Sequence, residues 1–305
     1  MARKTTLKAN CFGLPYMGSR NGIARKIIAV LPRAKYFVDL FAGGCSMTHV
    51  AMLSGKYEQF ICNDISNIPQ LFVDAVNGKY ADERRWISRE DFMRLKDTDP
   101  YVACVWSFGN DCRTYMYGKD IEPFKKALHE VHFAANEQEK AEAMARYRKE
   151  LAKVGRSLTK DQRTRSGNLE CLQSLQRLQS LQRLQRLQSL QSLQRLQSLQ
   201  SLQSLQSLQS SYCDVEIPED SVIYCDPPYK GTHDYNSGAF DHEVFYDWCE
   251  TQKQPLFISE YSMPSDRFVC VAQWRKPSLR NNEGLKERMF KDEKLYRPRK
   301  QIVGG

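Results

Sequence analysis

The chain has 305 residues, 41% hydrophobic and 27% charged, enough length and apolar content to bury one large core or two modest ones. No window approaches the run of about eighteen apolar residues that a membrane helix requires, and the basic start Met1-Ala2-Arg3-Lys4 leads into no apolar signal core, so a cytoplasmic protein with no membrane partner is expected. A net charge of +9 suits a polyanionic partner, while the 10 cysteines are scattered without a Cys-x-x-Cys pair, which argues for reduced thiols and against a metal site.

Residues 1–80 read as the first, cofactor-binding half of an α/β domain. Apolar residues in Ile23–Leu31 fall at helical spacing, and Tyr36-Phe37-Val38-Asp39-Leu40 is a short strand running into Phe41-Ala42-Gly43-Gly44-Cys45-Ser46 and a helix-compatible stretch. A second strand, Phe60-Ile61-Cys62-Asn63-Asp64, ends in an acid. Strand, glycine turn, helix, strand, acid is the order of a dinucleotide-type βαβ unit. By itself a glycine pair marks only a tight turn. In this order the glycines allow close approach of a cofactor, and Asp64 suits ribose hydroxyls.

The texture changes over 81–168, where basic residues such as Lys140, Arg146, Arg148 and Lys149 join aromatics around Trp106-Ser107-Phe108-Gly109-Asn110 and Tyr115-Met116-Tyr117. Such a mixture suits phosphate contact and base stacking. Composition alone favours a solvated helical face over an aromatic core.

A repeat occupies 169–210, with leucine at every third position from Leu169 to Leu208 and Gln-Ser or Gln-Arg between most of them. On an α-helix each three-residue step turns about 300°, so the leucines visit every face and leave no stripe; a heptad seam is excluded. A 3₁₀ helix would align them, but such helices are short. Helix propensity makes an α-helix the preferred local state, and the segment reads as a low-complexity insertion outside the catalytic machinery.

Over 211–305 the α/β pattern resumes with strands at Ser221-Val222-Ile223-Tyr224-Cys225, Leu256-Phe257-Ile258-Ser259 and Phe268–Trp274, before a basic tail. Asp226-Pro227-Pro228-Tyr229 follows the first of these directly, where open α/β sheets place ligands. A rigid Pro-Pro turn is the plain reading. The chemical reading starts from adenine's 6-amino group, whose lone pair is delocalised into the ring. Methylating it calls for acceptors that pull on the amino hydrogens. Asp226 and the Pro227 carbonyl supply such a pair, Pro227 and Pro228 stiffen the turn without adding backbone donors, and the Tyr229 ring can stack on a base.

These motifs and their order resemble the Dam-type family of DNA adenine methyltransferases, particularly its phage and prophage members. Tyr16-Met17-Gly18-Ser19-Arg20 is similar to the family's N-terminal motif, Asp39-Leu40-Phe41-Ala42-Gly43-Gly44 to its glycine motif, and Asp64 to its ribose-binding acid. Ser211–Val215 resembles the segment before the catalytic strand and Phe257-Ile258-Ser259 the strand after it. Arg20 stands where lysine is usual, and Cys45 replaces a common third glycine.

The resemblance implies a class I S-adenosylmethionine-dependent methyltransferase: an α/β, Rossmann-like sheet with an inserted, mostly helical target-recognition domain at 81–168. It implies S-adenosylmethionine as cofactor, held by Tyr16, Gly18, Arg20, Asp39, Phe41, Gly43, Gly44, Asp64 and Asp226, with Asp226, Pro227, Pro228 and Tyr229 catalytic. Double-stranded DNA would be the partner, with a flipped-out adenine and Trp106–Asn110 near the target base, and the enzyme would work as a monomer. Three rivals stand beside it. A DNA-binding relative without turnover sits poorly with an intact Asp226 and Tyr229. An amino-methyltransferase for RNA or cytosine fits less well than adenine, because the first residue of the tetrapeptide is Asp. An interaction protein organised by the repeat is the third.

Overall fold

The computed structural model describes residues 12–16, 19–162, 193–202, 204–229, 240–277 and 290–303. By packing, the chain divides into two compact units, one made of Met1–Leu14, Gly18–Asn77 and Leu196–Gly305, the other of Pro15–Met17 and Gly78–Arg195.

The first unit is built on a sheet of β1 (Tyr36–Asp39), β2 (Gln59–Asp64), β3 (Leu205–Gln209), β4 (Ser221–Cys225), β5 (Leu256–Glu260), β6 (Phe268–Pro277) and β7 (Phe290–Pro298), in the order β3-β2-β1-β4-β5-β7-β6. All neighbours from β3 to β5 are parallel, whereas β7 runs antiparallel to both β5 and β6. Strands β4 and β5 are buried at every position, as parallel strands covered on both faces must be. Helices α1 (Ala24–Val30), α2 (Ser46–Leu53) and α3 (Ile68–Val76) follow the N-terminal segment, β1 and β2; their buried faces include Ile27, Ile28, Met47, Val50, Leu71 and Phe72. On the other side of the sheet Phe245, Tyr246 and Cys249 of α8 (His242–Thr251) join a core with Val38, Ile223 and Ile258. Strand order reverses between β1 and β4, each of which has its other neighbour on the opposite side. A crevice opens at the C-terminal ends of strands at such a reversal.

The second unit is mostly helical: α4 (Arg89–Leu95), α5 (Pro100–Val105), α6 (Glu122–Phe133) and α7 (Glu137–Gln162). Ser88 and Asp99 cap α4 and α5 with their side chains. Between α5 and α6 the chain doubles back through an antiparallel bridge, Ser107 to Tyr115, with Gly109, Asn110 and Cys112 at positive φ.

Two strands lie where sequence patterning did not place them. β3 consists entirely of the repeat, Leu205-Gln206-Ser207-Leu208-Gln209, pairing in parallel with Phe60–Asp64 of β2. The insertion drawn over 169–210 therefore ends inside the sheet. Just before it, Gln197–Leu202 is a 3₁₀ helix packed on α3, and Leu193, Leu196 and Leu199, which share the three-residue period, are all buried. Of these three only Leu199 lies in the 3₁₀ turn; Leu193 and Leu196 belong to the α-helical residues 193–196 before it, the local state that helix propensity favours, and residues 169–192 and 203 of the repeat lie outside the described residues. β7 was hidden in the basic tail because Lys, Asp and Glu mask its alternation, although Glu293 and Leu295 both point inward.

Candidate active site

Asp226 leaves β4 at its C-terminal end, beside β1 and Asp39. Its carboxylate is gripped by Arg20, whose Nε donates to Oδ2 at 2.6 Å and Nη2 to Oδ1 at 2.5 Å. The third arm of the same guanidinium, Nη1, donates to both oxygens of Glu293 at 2.9 and 3.0 Å. The Tyr229 hydroxyl donates to Glu293 Oε2 at 3.0 Å, and the guanidinium lies over the Tyr229 ring, 4.6 Å from its centre. Burial opposes the charge on Arg20, but the attraction and hydrogen bonds of Asp226 outweigh it and hold the guanidinium protonated. Burial, then the Asp226 charge, push the Tyr229 phenol far above its ordinary value, so it stays neutral. Tyr261 packs edge-on against the Tyr229 ring at 4.5 Å. The ring predicted to stack on a base is thus buried and carries Arg20 on a face.

The glycine turn joins the ends of β1 and β2. Gly43 N–H donates to Asp64 Oδ2 at 2.9 Å, and Ser66 N–H and Oγ donate to Asp64 Oδ1 at 2.9 and 2.8 Å, so the acid is locked onto the turn. Leu14 N–H donates to the Gly44 carbonyl at 2.7 Å. Gly13, at φ +68°, leaves no room for a side chain: a Cβ there would sit 2.2 Å from the Gly44 oxygen. Its N–H donates to His49 Nδ1 at 2.9 Å, and burial lowers the His49 pKa to about 4, leaving the ring neutral to accept. Cys45 takes φ 57° and ψ 32°, the left-handed conformation a glycine would adopt without strain. That residue keeps the turn's shape where a third glycine is usual, and adds a thiol that burial pushes well up.

Asp39 is buried at the end of β1. Its Oδ2 accepts from Thr48 Oγ1 at 2.8 Å, while Oδ1 has no hydrogen-bond partner among the described residues. Burial, only partly offset by Thr48, pushes its pKa up to about 7. Phe41 lies within an aromatic group with Tyr212, Phe240 and Phe245.

Of the residues read from the sequence, Arg20, Asp226 and Tyr229 meet in one cluster, and Gly43, Gly44 and Asp64 in one turn; Pro227 is buried between Asp226 and Tyr229 in sequence, with Pro228 half-buried. Tyr16 belongs to the second unit, and Gly18 lies outside the described residues. Sequence reasoning missed Gly13, His49 and Glu293. An inward Glu in an alternating strand was the one legible signal for Glu293. Among the described residues no three His, Cys, Asp or Glu side chains form a metal-type cluster, and no helix is long and apolar enough to cross a membrane.

In the second unit Trp106, Tyr115 and Tyr117 are core residues packed with Trp86 and Phe92, so the aromatics suggested for base contact are mostly structural. Phe108 is the exception, 64% exposed in the loop. The basic face of α7 is also less free than its composition suggests: Lys140, Arg146 and Lys153 each pair with a glutamate.

Residues 16–147 match the family model described as D12 class N6 adenine-specific DNA methyltransferase, a family of enzymes. No curated protein matches the chain. The seven-stranded sheet, ordered β3-β2-β1-β4-β5-β7-β6, is consistent with a class I S-adenosylmethionine-dependent methyltransferase fold.

Proposed function

We propose that this protein, carrying the D12-class match over residues 16–147, methylates the exocyclic 6-amino group of a flipped-out adenine in double-stranded DNA, and that Asp226 is the acceptor that makes the amino group reactive. The observation that carries the reading is the placement of Asp226, at the end of β4 next to β1 and held by a two-pronged arginine. A carboxylate fixed in this way accepts from an amino hydrogen without first having to be ordered.

The residues present fit S-adenosylmethionine. The turn is opened by Gly43 and Gly44, Asp64 at the tip of β2 suits ribose hydroxyls, and Asp39 keeps a buried oxygen without a partner. When bound, the donor supplies a methyl carbon on a sulfonium, whose C–S electron pair returns to sulfur. Asp226 and the Pro227 carbonyl orient N6 so that its lone pair would form the new N–C bond as the C–S bond breaks, and the proton that N6 sheds would pass by way of the Asp226 carboxylate to solvent. Gly13, Leu14 and His49 brace the turn against displacement.

The unit of Pro15–Met17 and Gly78–Arg195 serves in this reading as the target-recognition domain, with an exposed aromatic and an exposed basic side chain, Phe108 and Arg113, in one loop. The test is transfer of tritiated methyl from labelled donor to duplex DNA, with hydrolysis of the product to single nucleosides. N6-methyladenine formed by the wild type and lost in Asp226→Ala supports the proposal. Label in cytosine, label only in RNA, or transfer unchanged in Asp226→Ala overturns it.

A further inference from the structure

We propose that Glu293 is a positioning residue for methyl transfer, which sets the geometry of Arg20 and Tyr229 around Asp226 and adds one buried negative charge beside it; this rests on Asp226 being the amino-group acceptor. Glu293 lies on β7, 2% exposed, at an inward position that strand alternation would normally fill with an apolar residue, as at Leu295. Burying a carboxylate is costly unless it is paired, and Glu293 is paired twice, to Arg20 Nη1 and to the Tyr229 hydroxyl. One side chain therefore holds both Arg20, which grips Asp226, and Tyr229 at the other end of the tetrapeptide. Arg20 cannot rotate away from Asp226 without breaking its contacts to Glu293, and Tyr229 is tied to the same anchor.

The charge count gives this arrangement a further consequence. Arg20 and Asp226 alone would sum to zero, a poor setting for a reaction that places positive charge on N6 as the N–C bond forms. Glu293 brings the three side chains to a net −1. Negative charge held in place before the reaction favours charge moving towards N6 in the transition state more than it favours ground-state binding. Loss of Glu293 should accordingly lower kcat and leave KM for DNA and for the donor nearly unchanged.

The test is steady-state methylation of duplex DNA by the full chain, wild type and Glu293→Gln, Glu293→Asp, Arg20→Lys and the double variant Glu293→Gln/Arg20→Lys, each with a thermal unfolding curve. Glu293→Gln is expected to lose at least about tenfold in kcat with KM within about threefold. Glu293→Asp, which keeps the charge, should recover part of that loss. Because Glu293 acts through Arg20, the double variant should be little worse than the poorer single variant. Glu293→Gln at wild-type kcat overturns the proposal, as does loss that multiplies in the double variant. If Glu293→Gln does not fold, Glu293→Asp decides: a kcat loss at unchanged KM with a retained melting temperature supports the proposal, and wild-type kcat overturns it. A wild type that makes no methyladenine refutes the proposed function instead, so the two failures are told apart.

Discussion

At the centre of the sheet, β1 ends in Asp39 and β4 leads directly into Asp226, and the polar side chains there have specific partners: Arg20 for both Asp226 and Glu293, Thr48 for Asp39. At its edge, β3 is Leu205-Gln206-Ser207-Leu208-Gln209, and it too is anchored by named contacts. Ser207 Oγ donates to Gln70 Oε1 at 2.6 Å, Ser210 N–H to Asn63 Oδ1 at 3.1 Å, and Gln209 Nε2 to the Ile65 carbonyl at 3.3 Å. The difference is that every anchor at the edge recurs three residues earlier, as Ser204, Ser207 and Gln206. A shift of the repeat by one unit presents the same residue types to the same partners, whereas a shift of the chain by any step takes Arg20 away from Asp226 and Glu293. One region depends on identity, the other on phase.

The largest expected effect breaks the central side of that comparison. Arg20→Ala removes the guanidinium that both Asp226 and Glu293 pair with, and should cost about 3–5 kcal/mol in denaturant unfolding, the usual range for breaking a buried ion pair. Asp39 comes next. Its folded pKa, about 7, lies above its ordinary 3.8, so the folded protein holds a proton that the unfolded chain releases between those values. Stability is then highest below about pH 4 as far as this group is concerned, falls as pH rises towards 7 and levels off above. The total is at most about 4 kcal/mol, from roughly three pH units at 1.36 kcal/mol each. Asp39→Asn should flatten that slope in urea unfolding measured from pH 4 to 8; an unchanged slope would locate the titration elsewhere.

The edge is tested by deletion. Removing Leu205–Ser207 leaves the residues next to Ser210 identical in type, and the melting temperature should move by less than about 2 °C. Removing Gln206 and Ser207 alone leaves Gln209 and Ser210 at Ile65 and Asn63 but puts Leu205 where Ser207 meets Gln70 and every earlier residue of the repeat out of phase, and should cost about 1–2 kcal/mol in the lost hydrogen bond and misplaced leucines. Equal effects from the two deletions would show that phase is irrelevant. The smallest effect is at Cys45. Cys45→Gly relieves left-handed strain but frees the unfolded chain, and should stay within about 1 kcal/mol of wild type, while Cys45→Val, branched at φ 57°, should lose more.

The same contrast explains what could be read from the sequence. Tyr36–Asp39, Ser221–Cys225 and Leu256–Glu260 are short apolar runs buried on both faces, and runs of that kind announce themselves. Arg20, Asp64, Asp226 and Tyr229 were legible because they sit in short motifs. β3 was not, since a three-residue period matches neither a strand nor an α-helix, and its place depends on β2 offering an edge. Glu293 was hidden among charges, because only the folded sheet brings residue 293 to residue 20, through contacts that no local pattern encodes. Trp106 shows the reverse case: the resemblance implied a place near the target base, and the side chain is in the aromatic core that composition alone favoured.

The central claim is that Asp226, at the end of β4, activates an adenine amino group. Mapping N6-methyladenine at base resolution in DNA from cells that express the chain tests it most directly, because activity, base and site are read together. The account predicts methyladenine at one recurring sequence with the wild type and none above background with Asp226→Ala. Methyladenine at the same sites in both, or methylcytosine with the wild type, would contradict it.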